Sequence, residues 1–591
     1  MFQWASRCAP GLSILALLLL SYVAFADVWY YFTPPQDKHQ HLGPPHHCSP
    51  PCDRTDALPL AQKIFIVLSL FVHLNAFYFS VRLFFALVKT LRESRKALGR
   101  RSSIESKLLE SVQDDIEYNP QGAISLNAVE AELLEANLRD VFVKKEVIHA
   151  IIIPNYKEDI DTLRVTLQVL AIHPRASTQY EIYLAMEQRE TEAADKATKL
   201  LSMFEGAFLH IRATFHPSGI PGEIAGKSSN VAYAAQHIID VHAIDNDDDM
   251  VNILITVVDA DTHLLQDYFN ELRRLHFDNL ASPEESFYCC PIIFDRNSVE
   301  TPVLVRCADL MWGFAGISAM YPGSPISIPT SVYTVPLLLA KKAGGWDSDA
   351  SAIGEDMHMM LKCYFATKAN ITTRVVYSAA SQCNISSNDN RGWRLTVDIL
   401  VKRYRQALRH MWGALDTGFA IRKSVDSLTR PGWPLFFNRK QWALAHLLWE
   451  AHFLPSHLIL ILLISSSYST FALPHFVHPV LARTSRLTGL LRLGSFTMMN
   501  ICMIVYHKWH HLCVSTRYMD MEVANFLEGG FSFRHWWDRG PLLDRVVFPL
   551  AGVLFGPIPA IHAVFSHFWT DQLVYQVSQK PSFKKAETVD L

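Results

Sequence analysis

Apolar and polar positions along the chain follow two patterns. Near the ends they gather into long uninterrupted apolar blocks, and between about 146 and 425 they form short β-rich runs separated by helical stretches. Residues 11–32 (GLSILALLLLSYVAFADVWYYF) supply about the ~20 residues that cross a bilayer core. Trp29 and Tyr31 at its end suit an interfacial belt, which predicts an anchor. Ala24-Phe25-Ala26 also forms a small-x-small cleavage pattern, so removal as a signal peptide is the alternative. A second block, 62–88, is followed by Lys89, Arg92, Arg95, Lys96, Arg100 and Arg101, a basic cluster that marks the cytosolic side. Three further blocks, 442–470, 488–507 and 546–569, predict spans. The last contains Gly556-Pro557-Ile558-Pro559, which predicts either a kinked helix or a re-entrant hairpin. RPGWPLFF (430–437) and FRHWWDR (533–539) mix aromatics with Arg and read as helices lying in the membrane interface.

These patterns divide the chain into four parts. Residues 1–101 form an N-terminal membrane region with an extracytosolic Pro/His-rich loop at 33–61, and 102–145 a polar connector with helical spacing in AVEAELLEANL. Residues 146–425 form a cytosolic α/β domain around a largely parallel sheet, and 426–591 a C-terminal membrane region. In the loop, His39, His41, His46, His47, Cys48 and Cys52 read as an irregular segment with a local Cys48–Cys52 pair in preference to a metal site. The chain is 50% hydrophobic and 19% charged, richer in apolar side chains than most soluble proteins. A net charge of -3 removes any general polyanion signal, so nucleic acid is excluded as a partner. Ten cysteines without paired CxxC arrays exclude a disulfide scaffold and a structural zinc site.

In open α/β sheets ligands bind beyond the carboxyl ends of strands, so the residues after each β run carry the candidate chemistry. VIHAIIIP ends in Asn155-Tyr156-Lys157-Glu158-Asp159, and YEIYLAM ends in Glu187-Gln188; both suit a nucleotide base. Gly226-Lys227-Ser228-Ser229-Asn230 opens the helix NVAYAAQHI, where free N–H groups and the Lys227 charge favour an anion. It is not a Walker loop, because position 221 is Pro. NILITVVD runs into Asp259-Ala260-Asp261-Thr262, whose two carboxylates can direct hard oxygen ligands to Mg2+ or Mn2+ and leave positions for phosphate. Asp247 and Asp249 repeat the spacing in a polar run that reads as a solvated acidic loop.

Further on stand Gly344-Gly345-Trp346-Asp347, Gly354-Glu355-Asp356 and Arg405-Gln406-Ala407-Leu408-Arg409-His410-Met411-Trp412. In this order, over roughly 148–413, the motifs resemble those of the family-2 glycosyltransferases, in particular the membrane-integrated branch that includes hyaluronan, chitin and cellulose synthases. The resemblance implies a GT-A type, Rossmann-like fold. It also implies a nucleotide-sugar donor, usually a UDP-sugar, held by Asn155, Tyr156, Glu158, Glu187, Lys227, Asp259, Gln406 and Arg409. Asp259 and Asp261 would hold the metal, Asp356 would be the catalytic base of an inverting transfer, and Glu355, His410 and Trp412 would face the acceptor. The expected reaction moves a hexosyl or N-acetylhexosaminyl group to a growing glycan or a lipid, as in polysaccharide or cell-wall synthesis with export.

One position departs from the pattern. His410 stands where relatives carry a Trp that packs by the acceptor sugar. On a helix, Gln406, Arg409 and His410 share a face, whereas Trp412 is turned further round. A shorter product or a lipid acceptor follows, so a single-transfer glycolipid synthase is the first alternative. A catalytically silent membrane scaffold is the second, and the intact Asp259, Asp261, Asp356 and Arg409 oppose it. Gly313, Gly316 and Tyr321 read either as acceptor contacts or as a tight turn. The expected protein is multi-pass, in the plasma membrane or a secretory membrane. Its cytosolic domain would leave the sequons at Asn370 and Asn384 unmodified. Oligomeric state is left open.

Overall fold

The computed structural model describes residues 1–25, 58–118, 147–244, 250–387, 392–428, 438–471, 478–524 and 531–573. The Cys48/Cys52 loop, the later connector, Asp247 and Asp249, and 430–437 lie outside the described residues.

Helix α1 (Ala9–Ala24) and helix α2 (Leu60–Tyr118) form the N-terminal part. α2 runs 59 residues, far past the predicted 62–88 block, because no proline interrupts the Lys-, Arg-, Glu- and Leu-rich continuation and those residues favour helix. The α/β domain follows, with strands β1 (Ile148–Asn155), β2 (Tyr180–Glu187), β3 (His210–His216), β4 (Ile253–Val257), β5 (Ser286–Cys289), β6 (Ile292–Phe294), β7 (Tyr333–Pro336), β8 (Thr372–Val375) and β9 (Ala380–Gln382). Seven of them form one sheet in the order β3-β2-β1-β4-β7-β5-β8, and β6 pairs with β9. β1, β2, β3 and β4 are mutually parallel, β5 is parallel to β8, and β7 alone runs antiparallel to its neighbours. The sheet is therefore the expected largely parallel one. Ile151, Ile152, Ile153, Ile182 and Leu184 are fully buried, as β-branched and aliphatic runs covered on both faces must be.

Helices α3 (Lys227–Val241), α4 (Val303–Ser318), α5 (Glu355–Ala366), α6 (Trp393–Trp412) and α7 (Leu415–Leu428) complete the parts of the domain that reach the site. The C-terminal part consists of α8 (Arg439–His452), α9 (Leu454–Phe471), α10 (Pro479–Val523), α11 (Arg539–Phe555) and α12 (Pro557–Ser566). Leu60–Arg101, Pro479–Val523 and Arg539–Ser566 are long and apolar enough to cross a membrane. α8 and α9, bent by 54° at Phe453, make a fourth if the pair is one span. The Gly556 break falls inside the third segment, which continues as one helical path.

Ion pairs fasten the domain to these helices. Arg100 lies 2.9 Å from Glu271, and Arg101 lies 3.4 Å from Asp267 and 2.7 Å from Asp520. Arg306 of α4 forks onto Asp544 of α11, Nη2 to Oδ1 at 2.6 Å and Nε to Oδ2 at 3.1 Å, a bidentate geometry that suits guanidinium. Arg517 of α10 reaches Asp295 at 2.9 Å with both side chains buried. Two members of the basic cluster thus dock the helix onto the domain, in addition to any bearing they have on orientation.

Candidate active site

Because β1, β2 and β4 are parallel, the segments that leave their carboxyl ends emerge on one edge of the sheet. A cavity of about 800 Å3 opens there, lined at this end by Asn155, Tyr156, Glu158, Glu187, Lys227, Asp259, Asp261, Asp356, Gln406, Arg409 and His410.

The first wall is set by the turn after β1. Lys157 takes a left-handed φ of 64°, uncommon for a residue with a side chain, and its N–H donates to Glu190 at 2.8 Å. The turn folds Glu158 back so that Oε2 accepts from Asn155 Nδ2 at 3.0 Å and from the Tyr156 N–H at 2.5 Å. Burial pushes the Glu158 carboxyl up to about 7 against those hydrogen bonds, with the nearby Asp261 adding to the rise. The Arg189 guanidinium lies 3.9 Å from the Tyr156 ring centroid, a cation–π contact that leaves a flat surface. Arg189 also donates to Glu187 at 3.1 Å, while Glu187 Oε1 is buried and accepts from no described residue.

The centre is a chain of charged groups. Lys227, first residue of α3, places Nζ 2.7 Å from Asp259 and 3.3 Å from Glu355. Burial opposes its charge, but Asp259, Glu355 and Asp356 outweigh that and raise its pKa. Ser331, also at a left-handed φ of 69°, gives its hydroxyl to Asp259 and its N–H to Asp356 Oδ2 at 2.5 Å. One residue therefore ties the two carboxylates together, and Gln382 supports it by donating to Ser331 Oγ at 2.6 Å. Asp356 sits in the first turn of α5, where a carboxylate suits the helix dipole, and its Oδ1 accepts the Met357 N–H at 2.8 Å. Asp261 is buried, its Oδ2 accepting from the Cys383 N–H at 3.1 Å.

Asp259 and Asp261 offer oxygen donors only, the ligand chemistry that suits Mg2+ or Mn2+. Among the described residues no three metal-binding side chains converge, and Asp259 is already paired with Lys227 at 2.7 Å.

The third wall is α6. Gln406 accepts from Arg403 at 2.7 Å, and Arg403 in turn lies 3.2 Å from Asp309, both buried. His410 stacks on Trp312 of α4, ring centroids 4.0 Å apart at 24°. An indole therefore does stand beside this position, supplied from a different helix. Trp412 is not brought to the cavity: it packs with Leu415 and Ala563, edge-on to His567, and its Nε1 reaches the Asp571 carbonyl at 3.5 Å. Glu355 turns back toward Lys227 and accepts from the Tyr333 hydroxyl. Burial raises its pKa. Gly313 and Gly316 lie within α4 and form no turn. A side chain at Gly316 would meet Thr330 Oγ1 at 2.5 Å, so close packing explains that glycine.

Behind Asp356, His358 faces Asp416 of α7 through Nδ1 at 2.6 Å and Asp347 through Nε2 at 3.1 Å. Both ring nitrogens meet carboxylate oxygens, so both donate and the ring is a cation. Burial works against that charge, yet the two carboxylates hold its pKa up to about 9.

Sequence reasoning missed Ser331, Gln382, Arg189 and Trp312. Arg189 lay in view two residues beyond β2. Ser331 acts through its backbone conformation, which a serine in SIPTSVYT does not announce.

Residues 254–506 match the family described as Glycosyl transferase family group 2, which supports a family-2 glycosyltransferase. The matched region starts at β4 and extends through the α/β domain into α10. No curated protein matches the chain. Among solved structures, the mannosyltransferase PcManGT from Pyrobaculum calidifontis, in complex with GDP-Man and Mn2+, is similar over 77% of this chain and 98% of its own, with 12% identity and a TM-score of 0.36. That likeness is too distant to bear on this chain's chemistry.

Proposed function

We propose that the chain is an inverting, metal-dependent glycosyltransferase of the GT-A type. It moves a hexosyl or N-acetylhexosaminyl group from a UDP-sugar to a hydroxyl of a glycan or lipid, in a multi-pass membrane protein with its catalytic domain in the cytosol. The observation that carries this reading is the chain Lys227–Asp259–Ser331–Asp356, which joins an anion-binding helix start, a carboxylate pair and a candidate base along one cavity.

In this reading the base of the nucleotide lies on the Tyr156–Arg189 surface, and the unpartnered Glu187 Oε1 accepts one of its N–H groups or a ribose hydroxyl. Lys227 and Arg409 face the diphosphate, whose charge grows as the glycosidic bond breaks, and groups aimed at developing charge lower the barrier most. Mg2+ or Mn2+ on Asp259 and Asp261 supplies further charge neutralisation when bound. Asp356, oriented by the Ser331 N–H, takes the acceptor proton as the acceptor oxygen attacks from the face opposite the leaving group. His410 and Trp312 offer an aromatic floor to a sugar or head group on the acceptor side. Purified protein incubated with a panel of nucleotide sugars and a divalent cation should release nucleotide from one of them. Release from none, with or without acceptors, would overturn the reading.

A further inference from the structure

The cavity does not end at the aromatic floor. It continues between the membrane helices, past Phe79 and Ser80 of α2, down the α8–α9 bend, and along α10 and the Gly556 break of α11–α12. Two of the helices that wall it are broken beside it, at Phe453 and at Gly556. Helical hydrogen bonds nonetheless continue through both places, and the 54° bend between α8 and α9 opens space between the helices.

The walls of that extension say what fills it. Leu454, Leu458, Leu462, Met499, Phe548 and Val553 present hydrocarbon. A glycan strand carries hydroxyls on every ring, and each would lose its water against such walls without a replacement partner. A hydrocarbon chain loses nothing there. The extension is also lined by the polar Ser80, Glu450, His452 and Ser495, and of these Glu450 is the one with a buried oxygen left unpartnered among the described residues. Glu450 of α8 lines the cavity with its side chain only 6% exposed, and its Oε2 is paired with the buried Arg82. Arg82 is in turn held by the Ser318 carbonyl at 2.9 Å. Glu450 Oε1 is buried and accepts no hydrogen bond from any described residue. A buried carboxylate oxygen left in that state is destabilising, and a ligand hydroxyl would relieve it. A phosphate head group would bring its own negative charge against this oxygen and is disfavoured.

We infer that the acceptor is a neutral lipid with a hydroxyl-bearing head group. Its chain lies against α9, α10 and α11, one head-group hydroxyl donates to Glu450, and another reaches Asp356. This rests on the glycosyltransferase reading above and narrows its acceptor. In the transfer the head-group O–H gives its proton to Asp356, its oxygen bonds to the anomeric carbon, and the bond from that carbon to the diphosphate oxygen breaks, its electron pair leaving with the nucleotide.

The test uses the full-length protein in nanodiscs of an ether-linked phosphatidylcholine, which carries no free hydroxyl, with the radiolabelled nucleotide sugar that the panel selects. Monooleoylglycerol and ceramide, each with two free hydroxyls, a polyprenyl phosphate and soluble oligosaccharides are each offered, and label is followed into organic and aqueous phases. Label in monooleoylglycerol or ceramide, with little in the other two, is the expected result. Label only in polyprenyl phosphate, only in a soluble glycan, or nucleotide release to water alone would overturn the acceptor assignment and leave the glycosyltransferase reading standing. Absence of nucleotide release from every donor would remove both. Glu450→Gln should raise the KM for the neutral lipid about tenfold, the loss of one good hydrogen bond. Since that change also disturbs Arg82, Leu458→Trp, which fills the extension and leaves the ion pair intact, should raise it as well. An unaltered lipid KM in Leu458→Trp would overturn the site.

Discussion

Ser331 decides how far the central carboxylates can be treated separately. Its hydroxyl holds Asp259 and its N–H holds Asp356, so a change at one carboxylate is felt at the other unless size is kept. Asp356→Asn keeps size and removes proton acceptance, so transfer should fall by roughly 10²- to 10⁴-fold while nucleotide-sugar affinity survives. If Asp261 is a metal ligand, as proposed, Asp261→Asn should weaken donor affinity and transfer together. Titrating nucleotide binding and measuring turnover on both variants checks the pair; transfer by Asp356→Asn at the unmutated rate would sink the base assignment. At this scale the polar residues after β1, β2 and β4 were legible, since an apolar run that ends in charge marks a strand leaving the core. Trp312 and Ser331 were not. Trp312 meets His410 from about a hundred positions away, and Ser331 depends on a backbone angle that no spacing rule encodes.

Elements meet at His358, which joins α5 to α7 and to the segment after Gly345. Unfolded imidazole loses its proton near about 6.5, whereas the folded ring holds it up to about 9. The stability this cation supplies is therefore complete below pH ~6.5 and is lost as pH rises towards about 9. Thermal unfolding in detergent should show a fall in melting temperature over that window, and His358→Gln should lower the melting temperature below it and flatten the slope. An unchanged slope in His358→Gln would show that other groups set the pH response. Element lengths were legible only in part. The apolar block 62–88 could not reveal that α2 continues to Tyr118, because polar helix formers carry no membrane signal and no core signal. The α8–α9 bend was likewise hidden in one apolar stretch, since a helix break beside a cavity needs no Gly and only a nearby Pro455.

For the whole molecule, orientation is the property that sequons can report. Asn384 is fully buried and hydrogen-bonded to Asn297, so it would escape modification in any folded chain. Asn370 is exposed and is the informative one. With the α/β domain in the cytosol it should carry no glycan, and a mass shift removed by glycosidase and absent in Asn370→Gln would reverse the proposed orientation. The largely parallel sheet and the long apolar helices were legible from the two patterns of hydrophobicity. The attachment of domain to helices was not, because Arg306–Asp544 and Arg517–Asp295 join residues more than two hundred positions apart. Those pairs bear on how the protein can be handled at the bench. A fragment trimmed to 146–425 would leave Asp295 and Arg306 without their ion-pair partners and uncover the apolar faces of Leu310, Phe314 and Ile317 that now pack on α2 and α10. Expressed alone, it is expected to aggregate as soon as detergent is withdrawn, so enzymology on this chain has to begin from the intact polypeptide.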